Sequence, residues 1–175
     1  MKVLGILGSP RVNGTTAKIL DRVIARFKKA KTEKIVLINY KIAPCTECGG
    51  CDKTGECVIK DDMEKIYRKI FSADVIILAS PIFFMGLPSH VKAMIDRCQS
   101  IWIRKYVLKD KNIINKKKKG IFIAVAGSKR KDVFKGSVST VKSFFATINA
   151  DYSKEMLFPG SDNNWGRVHF LNVEK

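Results

Sequence analysis

The chain has 175 residues, enough for one domain with a sizeable core, and 46% of them are hydrophobic. No apolar run in the sequence is long enough to cross a bilayer, which argues against a membrane protein. A net charge of +17 would suit a nucleic-acid binder, but the lysines are scattered apart from a run at 116–119 and no nucleic-acid motif accompanies them. The charge therefore reads as a lysine-rich surface, of the kind many heat-adapted proteins carry, that also favours an acidic protein partner.

The N-terminus reads as strand, loop and helix. Val3-Leu4-Gly5-Ile6-Leu7 is a short apolar run suited to a parallel strand covered on both faces. It breaks at Gly8 into a polar loop, and a helix over 16–29 follows, with Ile19, Leu20, Val23, Ile24 and Phe27 at helical spacing. A second strand at 34–39 leads into a cysteine-rich loop at 42–60. Asp61 is placed to cap a helix to residue 71 that carries Met63, Ile66, Tyr67 and Ile70 on one face. A third strand at 74–79 is expected to stop at Ser80-Pro81, since proline cannot donate to the ladder.

The loop Ile82-Phe83-Phe84-Met85-Gly86-Leu87 precedes a helix over 88–98, and a polar, basic stretch at 104–119 leads to strand four at 120–126. Gly127-Ser128, a helix over 132–149 and strand five at 152–158 complete the alternation. Strands and helices in this rhythm predict one flavodoxin-like α/β domain over 1–175: a doubly wound, five-stranded parallel sheet in the order 2-1-3-4-5. The sequence ends soon after strand five, at Val173-Glu174-Lys175, so the C-terminus is expected to be shortened and a closing helix to be missing.

That fold places ligands outside the carboxyl ends of the strands, at the switch point between strands one and three. Three distinctive loops leave strand ends there, and the cysteine loop leaves strand two at the same end. In the first, Ser9, Thr15 and Thr16 offer hydroxyls, Asn13 an amide and Arg11 a planar fork, all at a helix N-terminus. It lacks the Walker and dinucleotide patterns, so a mononucleotide phosphate fits better, against the plainer reading of a hydroxyl-rich helix cap. Pro81, Ile82, Phe83, Phe84, Met85 and Gly86 mix backbone amides with apolar side chains and suit a flat aromatic ring that also needs hydrogen bonds. The ordinary alternative is core or dimer contact.

Cys45, Cys48, Cys51 and Cys57 follow the spacing C-x2-C-x2-C-x5-C. Overlapping pairs that share Cys48 suit a 4Fe-4S cube, whose four irons each take one thiolate from a different direction, better than one tetrahedral zinc. Gly49, Gly50 and Gly55 help the backbone curl around such a body. Zinc, no metal, and thiol redox chemistry remain the alternatives. Cys98 sits in a helical pattern and reads as packing.

As an ordered set, Gly8-Ser9-Pro10-Arg11-x-Asn13-Gly14-x-Thr16, Pro44-Cys45-x-x-Cys48-x-x-Cys51 with Cys57, Lys60-Asp61-Asp62-Met63, Ala73-Asp74, Ser80-Pro81 and Val91-Lys92-x-x-x-Asp96-Arg97 resemble the NAD(P)H-dependent FMN reductase superfamily. The complete cysteine set is similar to its iron–sulfur flavoprotein branch. The resemblance implies FMN, with its phosphate on Ser9, Arg11, Asn13, Thr15 and Thr16, its ring on residues 81–86, and the loop at Gly127 and Ser128 completing the site. It implies a 4Fe-4S cluster on Cys45, Cys48, Cys51 and Cys57, a homodimer or tetramer, and electron exchange with an acidic carrier such as ferredoxin, with NAD(P)H as a further donor. Phe83-Phe84 departs from relatives that often place a tyrosine there. The expectation is a cytoplasmic redox flavoprotein without a catalytic acid, base or nucleophile; neither His90 nor His169 is given a role. The alternatives are a cluster-free NAD(P)H-dependent FMN or quinone reductase and, more remotely, a basic regulatory or nucleic-acid-binding protein on the same fold.

Overall fold

In the computed structural model, which describes residues 1–130 and 132–161, five parallel strands form one sheet in the order β2-β1-β3-β4-β5. The strands are β1 (Lys2–Leu7), β2 (Lys31–Val36), β3 (Val75–Pro81), β4 (Lys118–Val125) and β5 (Ala150–Phe158). The helices are α1 (Thr15–Ile24), α2 (Met63–Ser72), α3 (Ser89–Arg97), α4 (Gln99–Trp102), α5 (Lys111–Ile114) and α6 (Lys135–Thr147). This is the flavodoxin-like order, with the crossover from β1 to β3 opening a switch point at the strand ends.

Alternation along the strands sorts the core into two layers. Leu4, Ile6, Ile76, Leu78, Phe122 and Ala124 face a layer that holds Met63, Ile66 and Ile70 of α2, Met94 of α3 and Phe144 and Phe145 of α6. Val3, Leu7, Val75, Ile77, Ala79, Ile123 and Val125 face α1 through Ala17, Ile19, Leu20 and Val23. Ile121, Met156 and Phe158, on the α1 side, are half-buried. The expected shortened C-terminus and missing closing helix concern residues beyond 161, and His169 lies there too; all fall outside the described residues.

Several boundaries differ from the sequence expectation for identifiable reasons. β3 continues through Pro81, which pairs in register with Val125. The amide of Ile82 donates to the Val125 carbonyl at 2.8 Å, so the missing N–H of Pro81 points the other way, towards β1, which has already left the sheet. A proline there costs no ladder bond. β2 ends at Val36, and Leu37–Asn39 tighten into a 3-10 turn. The stretch beyond 98 stays helical through α4, a π-helical turn at Ile103–Val107 and α5, whereas the lysine-rich composition read as a connector.

Candidate functional site

The first loop begins at the switch point. Gly8 donates to the carbonyl of Ala79 at 2.7 Å while its own carbonyl accepts from His90 Nε2 at 2.9 Å. Ser9 is buried, and its Oγ accepts from the Arg11 amide at 3.1 Å, which starts a turn that Gly14 closes by donating to the Arg11 carbonyl at 3.1 Å. Gly14 is the N-cap of α1 and has no side chain to offer the first amides of that helix. Those amides, the positive end of the helix dipole and the exposed Arg11 are left for an outside anion.

A cavity of about 230 Å³ lies against this loop, lined by Ser9, Pro10, Arg11, Gly14, Thr15, Thr16, Pro81, Ile82, Phe83, Val125, Gly127 and Ser161. Of the expected cofactor residues, Ser9, Arg11, Thr15, Thr16, Pro81, Ile82, Phe83 and Gly127 therefore meet in one pocket. Asn13, Phe84, Met85, Gly86 and Ser128 lie outside its lining. Asn13 is an exposed residue of the turn, and Ser128 Oγ is taken by the Arg130 amide at 3.2 Å. Ser161 was missed by sequence reasoning. It reaches the site because its amide donates to the Ala126 carbonyl at 2.9 Å, a folding-back of the chain after β5 that no local pattern signals.

The second loop is a two-residue hairpin. Phe83 and Gly86 exchange backbone hydrogen bonds of 2.9 Å each, and the residues between them, Phe84 and Met85, take φ of 47° and 62°. Such a turn favours Asn-Gly, and bulky side chains there carry strain. Phe84 is fully exposed at its tip.

The cysteine loop spans the gap between the 3-10 turn and α2. Cys45 and Cys48 are exposed, Cys51 and Cys57 partly so, and all four are free thiols. They line a single cavity of about 280 Å³ together with Val58, Ile59, Arg97, Gln99 and Ser100. Gly49 and Gly55 take φ of 68° and 71°, the left-handed region in which glycine is at ease. Among the described residues no three Cys, His, Asp or Glu side chains are gathered tightly enough to hold one metal ion. Burial, then the nearby Asp52 carboxylate and the other thiols, pushes the Cys51 pKa up. The cavity they share gives the four sulfurs a common wall, the kind of donor set that a group bound through several thiolates requires.

Beneath the loop lies Arg97, fully buried. Nη1 donates to the Ala43 carbonyl at 3.0 Å and Asp61 Oδ2 at 2.7 Å. Nη2 donates to the Ile59 carbonyl at 3.0 Å and Asp61 Oδ1 at 3.2 Å. Burial raises the pKa of Asp61, but the Arg97 fork and the amides of Ala43 and Met63 outweigh it and hold the carboxyl below its usual range. Tyr67 donates its hydroxyl to the Arg97 carbonyl. Helix α3 thus braces both regions, since His90 near its start holds the first loop and Arg97 at its end holds the cysteine loop. They stand seven positions apart on the helix, about 10 Å of axial rise.

Residues 1–145 match the family described as NADPH-dependent FMN reductase. The chain belongs to that family. It is an oxidoreductase, a redox flavoprotein, and within the FMN reductases it falls in the iron–sulfur flavoprotein branch. It is 37% identical over its whole length to an iron-sulfur flavoprotein of Methanosarcina thermophila, covering 85% of that protein. It is 40% identical over 99 residues to an iron-sulfur flavoprotein of Archaeoglobus fulgidus, where the match spans 55% of this chain and 45% of the relative. Among solved structures, a flavone reductase superposes with a TM-score of 0.69 at 24% identity, over 92% of this chain and 55% of the other. An FMN-dependent NADH-azoreductase of Bacillus anthracis in complex with FMN superposes at 0.65 and 17% identity, over 91% and 87%. At those identities the structures speak for the fold alone. Among the described residues no helix is long and apolar enough to cross a membrane.

Proposed function

We propose that this FMN reductase family member passes electrons between a 4Fe-4S cluster on Cys45, Cys48, Cys51 and Cys57 and an FMN seated against the first loop. The observation that carries the reading is a pair of differently built cavities whose loops are both tied to helix α3, through His90 and Arg97. One is a cradle of uncapped helix amides and hydroxyls at the switch point, and the other is lined by all four cysteines. When bound, FMN can take up one or two electrons, whereas the cluster passes them singly.

The protein residues would do the rest. Arg11, Thr15, Thr16 and the first amides of α1 bind a phosphate of about two negative charges. Pro81, Ile82 and Phe83 cover an aromatic ring and keep water from it, and the Ile82 amide, tied to Val125, fixes the height of that wall. Four thiolates and two backbone flanks locked by Arg97 hold the cluster. The net charge of +17 favours an acidic one-electron carrier of the ferredoxin type as partner, through steering. NAD(P)H is a second donor in keeping with the family. We further propose a homodimer or dimer of dimers, in which the exposed Phe84, Met85 and Trp102 meet a second copy; a monomer that keeps FMN in sedimentation at micromolar concentration would refute this.

Protein purified without oxygen tests the main reading. About four irons and four acid-labile sulfides per chain, with flavin bands over a broad absorbance near ~400 nm, are expected for this pair of cofactors. Flavin bands without labile sulfide would favour a cluster-free NAD(P)H-dependent reductase, and stoichiometric zinc would refute the cluster.

A further inference from the structure

A guanidinium has five N–H donors, and the buried Arg97 commits its two terminal nitrogens to four bonds. These go to the Ala43 carbonyl, the Ile59 carbonyl and both oxygens of Asp61. The fifth donor, Nε, is buried without a partner among the described residues. Arg97 is also part of the wall of the cysteine cavity. Ala43 lies two residues before Cys45 and Ile59 two residues after Cys57, so the same side chain clamps both ends of the loop that presents the sulfurs. A buried, charged donor left without an acceptor is costly, and in native proteins such an atom calls for an explanation.

We propose that Arg97 is the positioning residue of the cysteine site, which fixes the loop through its terminal nitrogens and turns its remaining Nε–H and its charge towards the anionic sulfur cage that the loop holds. This deepens the cluster reading and rests on it. Burial works against the guanidinium's charge, but Asp61 and then Cys57 favour it, and its pKa stays raised. A fixed positive charge and an N–H next to cluster sulfur stabilise the more negative, reduced form, so Arg97 raises the cluster's reduction potential. A lysine could keep the charge but has a single nitrogen and no planar fork, and it could not span Ala43, Ile59 and Asp61 at once.

The test uses anaerobically purified full-length protein and compares wild type with Arg97→Lys, with Asp61→Asn and with the double variant Arg97→Met/Asp61→Asn. The double variant removes both buried charges together, so neither is left without its counter-ion. The cluster midpoint is read by redox titration followed by electron paramagnetic resonance, with the flavin midpoint as internal control. Against Asp61→Asn alone, which removes the carboxylate whose negative charge opposes reduction, the double variant should lower the ratio of reduced to oxidised cluster at a given potential at least tenfold, a shift of about 59 mV to more negative values for one electron. Arg97→Lys should shift less and lose iron faster on exposure to a chelator. Folded, iron-loaded variants with an unmoved midpoint would overturn the proposal and leave the cluster reading intact. Wild-type protein without labile sulfide would overturn both. If the variants do not fold or load, wild-type protein labelled with nitrogen-15 arginine decides. The Arg97 Nε–H signal should change position and exchange more slowly when the cluster is present, and an identical signal with and without cluster would overturn the assignment.

Discussion

The first loop leaves β1 into surroundings already set by the sheet: Gly8 is bonded to Ala79 on β3, and Ser9 and Thr16 are buried. The cysteine loop runs between the 3-10 turn and α2. Two of its thiols are exposed and two partly buried, and its two flanks are joined through the side chains of Arg97 and Asp61. The cradle is therefore shaped before any ligand arrives, because the backbone ladder and the start of α1 hold it. The cysteine loop depends on a few polar contacts and on whatever the sulfurs bind. Segments with few buried apolar contacts sit at the low end of local stability, and binding energy at such a site is also folding energy.

This contrast can be broken most directly at the thiols. Cys48→Ala should lose most of the iron, by metal analysis, while FMN still binds, by fluorescence quenching. Simultaneous loss of flavin would mean that the two regions are not separately built. Next in size is Asp61→Ala, which leaves Arg97 buried without its counter-ion and releases the Ala43 flank. The expected cost is about 3–5 kcal/mol in urea unfolding of the cluster-free protein. Arg11→Ala tests the cradle. Its fold should be unchanged, but FMN should bind more weakly by about 1.5–3 kcal/mol, the range for a bond to a charged group. Riboflavin, which has no phosphate, should bind both forms equally in the same calorimetric titration.

A smaller effect is expected at the hairpin tip. Phe84→Asn with Met85→Gly places a favoured pair at the two positive φ values and should raise stability by about 1–2 kcal/mol, seen as a higher denaturant midpoint. If it does not, the tip is relaxed by contacts beyond this chain. The last test works at the far end of the sheet. Lys118 is buried at the start of β4, donating to the carbonyls of Lys116 and Ile148, and burial pushes its pKa down to about 8. Between that value and the unfolded one, the unfolded chain holds more protons, so stability rises with pH. The expected gain is about 1 kcal/mol from pH 8 to 9, and it should be absent in Lys118→Met. FMN affinity that followed the same curve would tie this end of the sheet to the cradle.

Local chemistry made much of this legible. Apolar runs marked β1, β3 and β4, the run at 34–39 overlapped only the end of β2, and alternation with amphipathic helices implied the order of all five strands. The first loop could be read as a candidate for an anion because a helix N-terminus leaves its first amides free to bind one. Ser161 could not be read, because its place depends on a backbone bond to Ala126. Nor could Asn13 and Ser128 be separated from the lining residues, since composition does not say which side of a turn a side chain takes. Pro81 misled for a related reason: whether a proline breaks a strand depends on which neighbour its nitrogen faces.

By itself the sequence determined the flavodoxin-like sheet, the hydroxyl-rich loop before α1 and the presence of four closely spaced cysteines, because each follows from spacing and side-chain chemistry within a short stretch. Only the tertiary structure decided that one nine-residue helix serves both regions. Asp96-Arg97 was visible as part of a motif, yet the partners of Arg97 are Ala43, Ile59 and Asp61, 36 to 54 positions away in the chain. A buried guanidinium can stay charged only where distant carbonyls and a carboxylate converge on it. That convergence belongs to the fold, and no stretch of the sequence contains it.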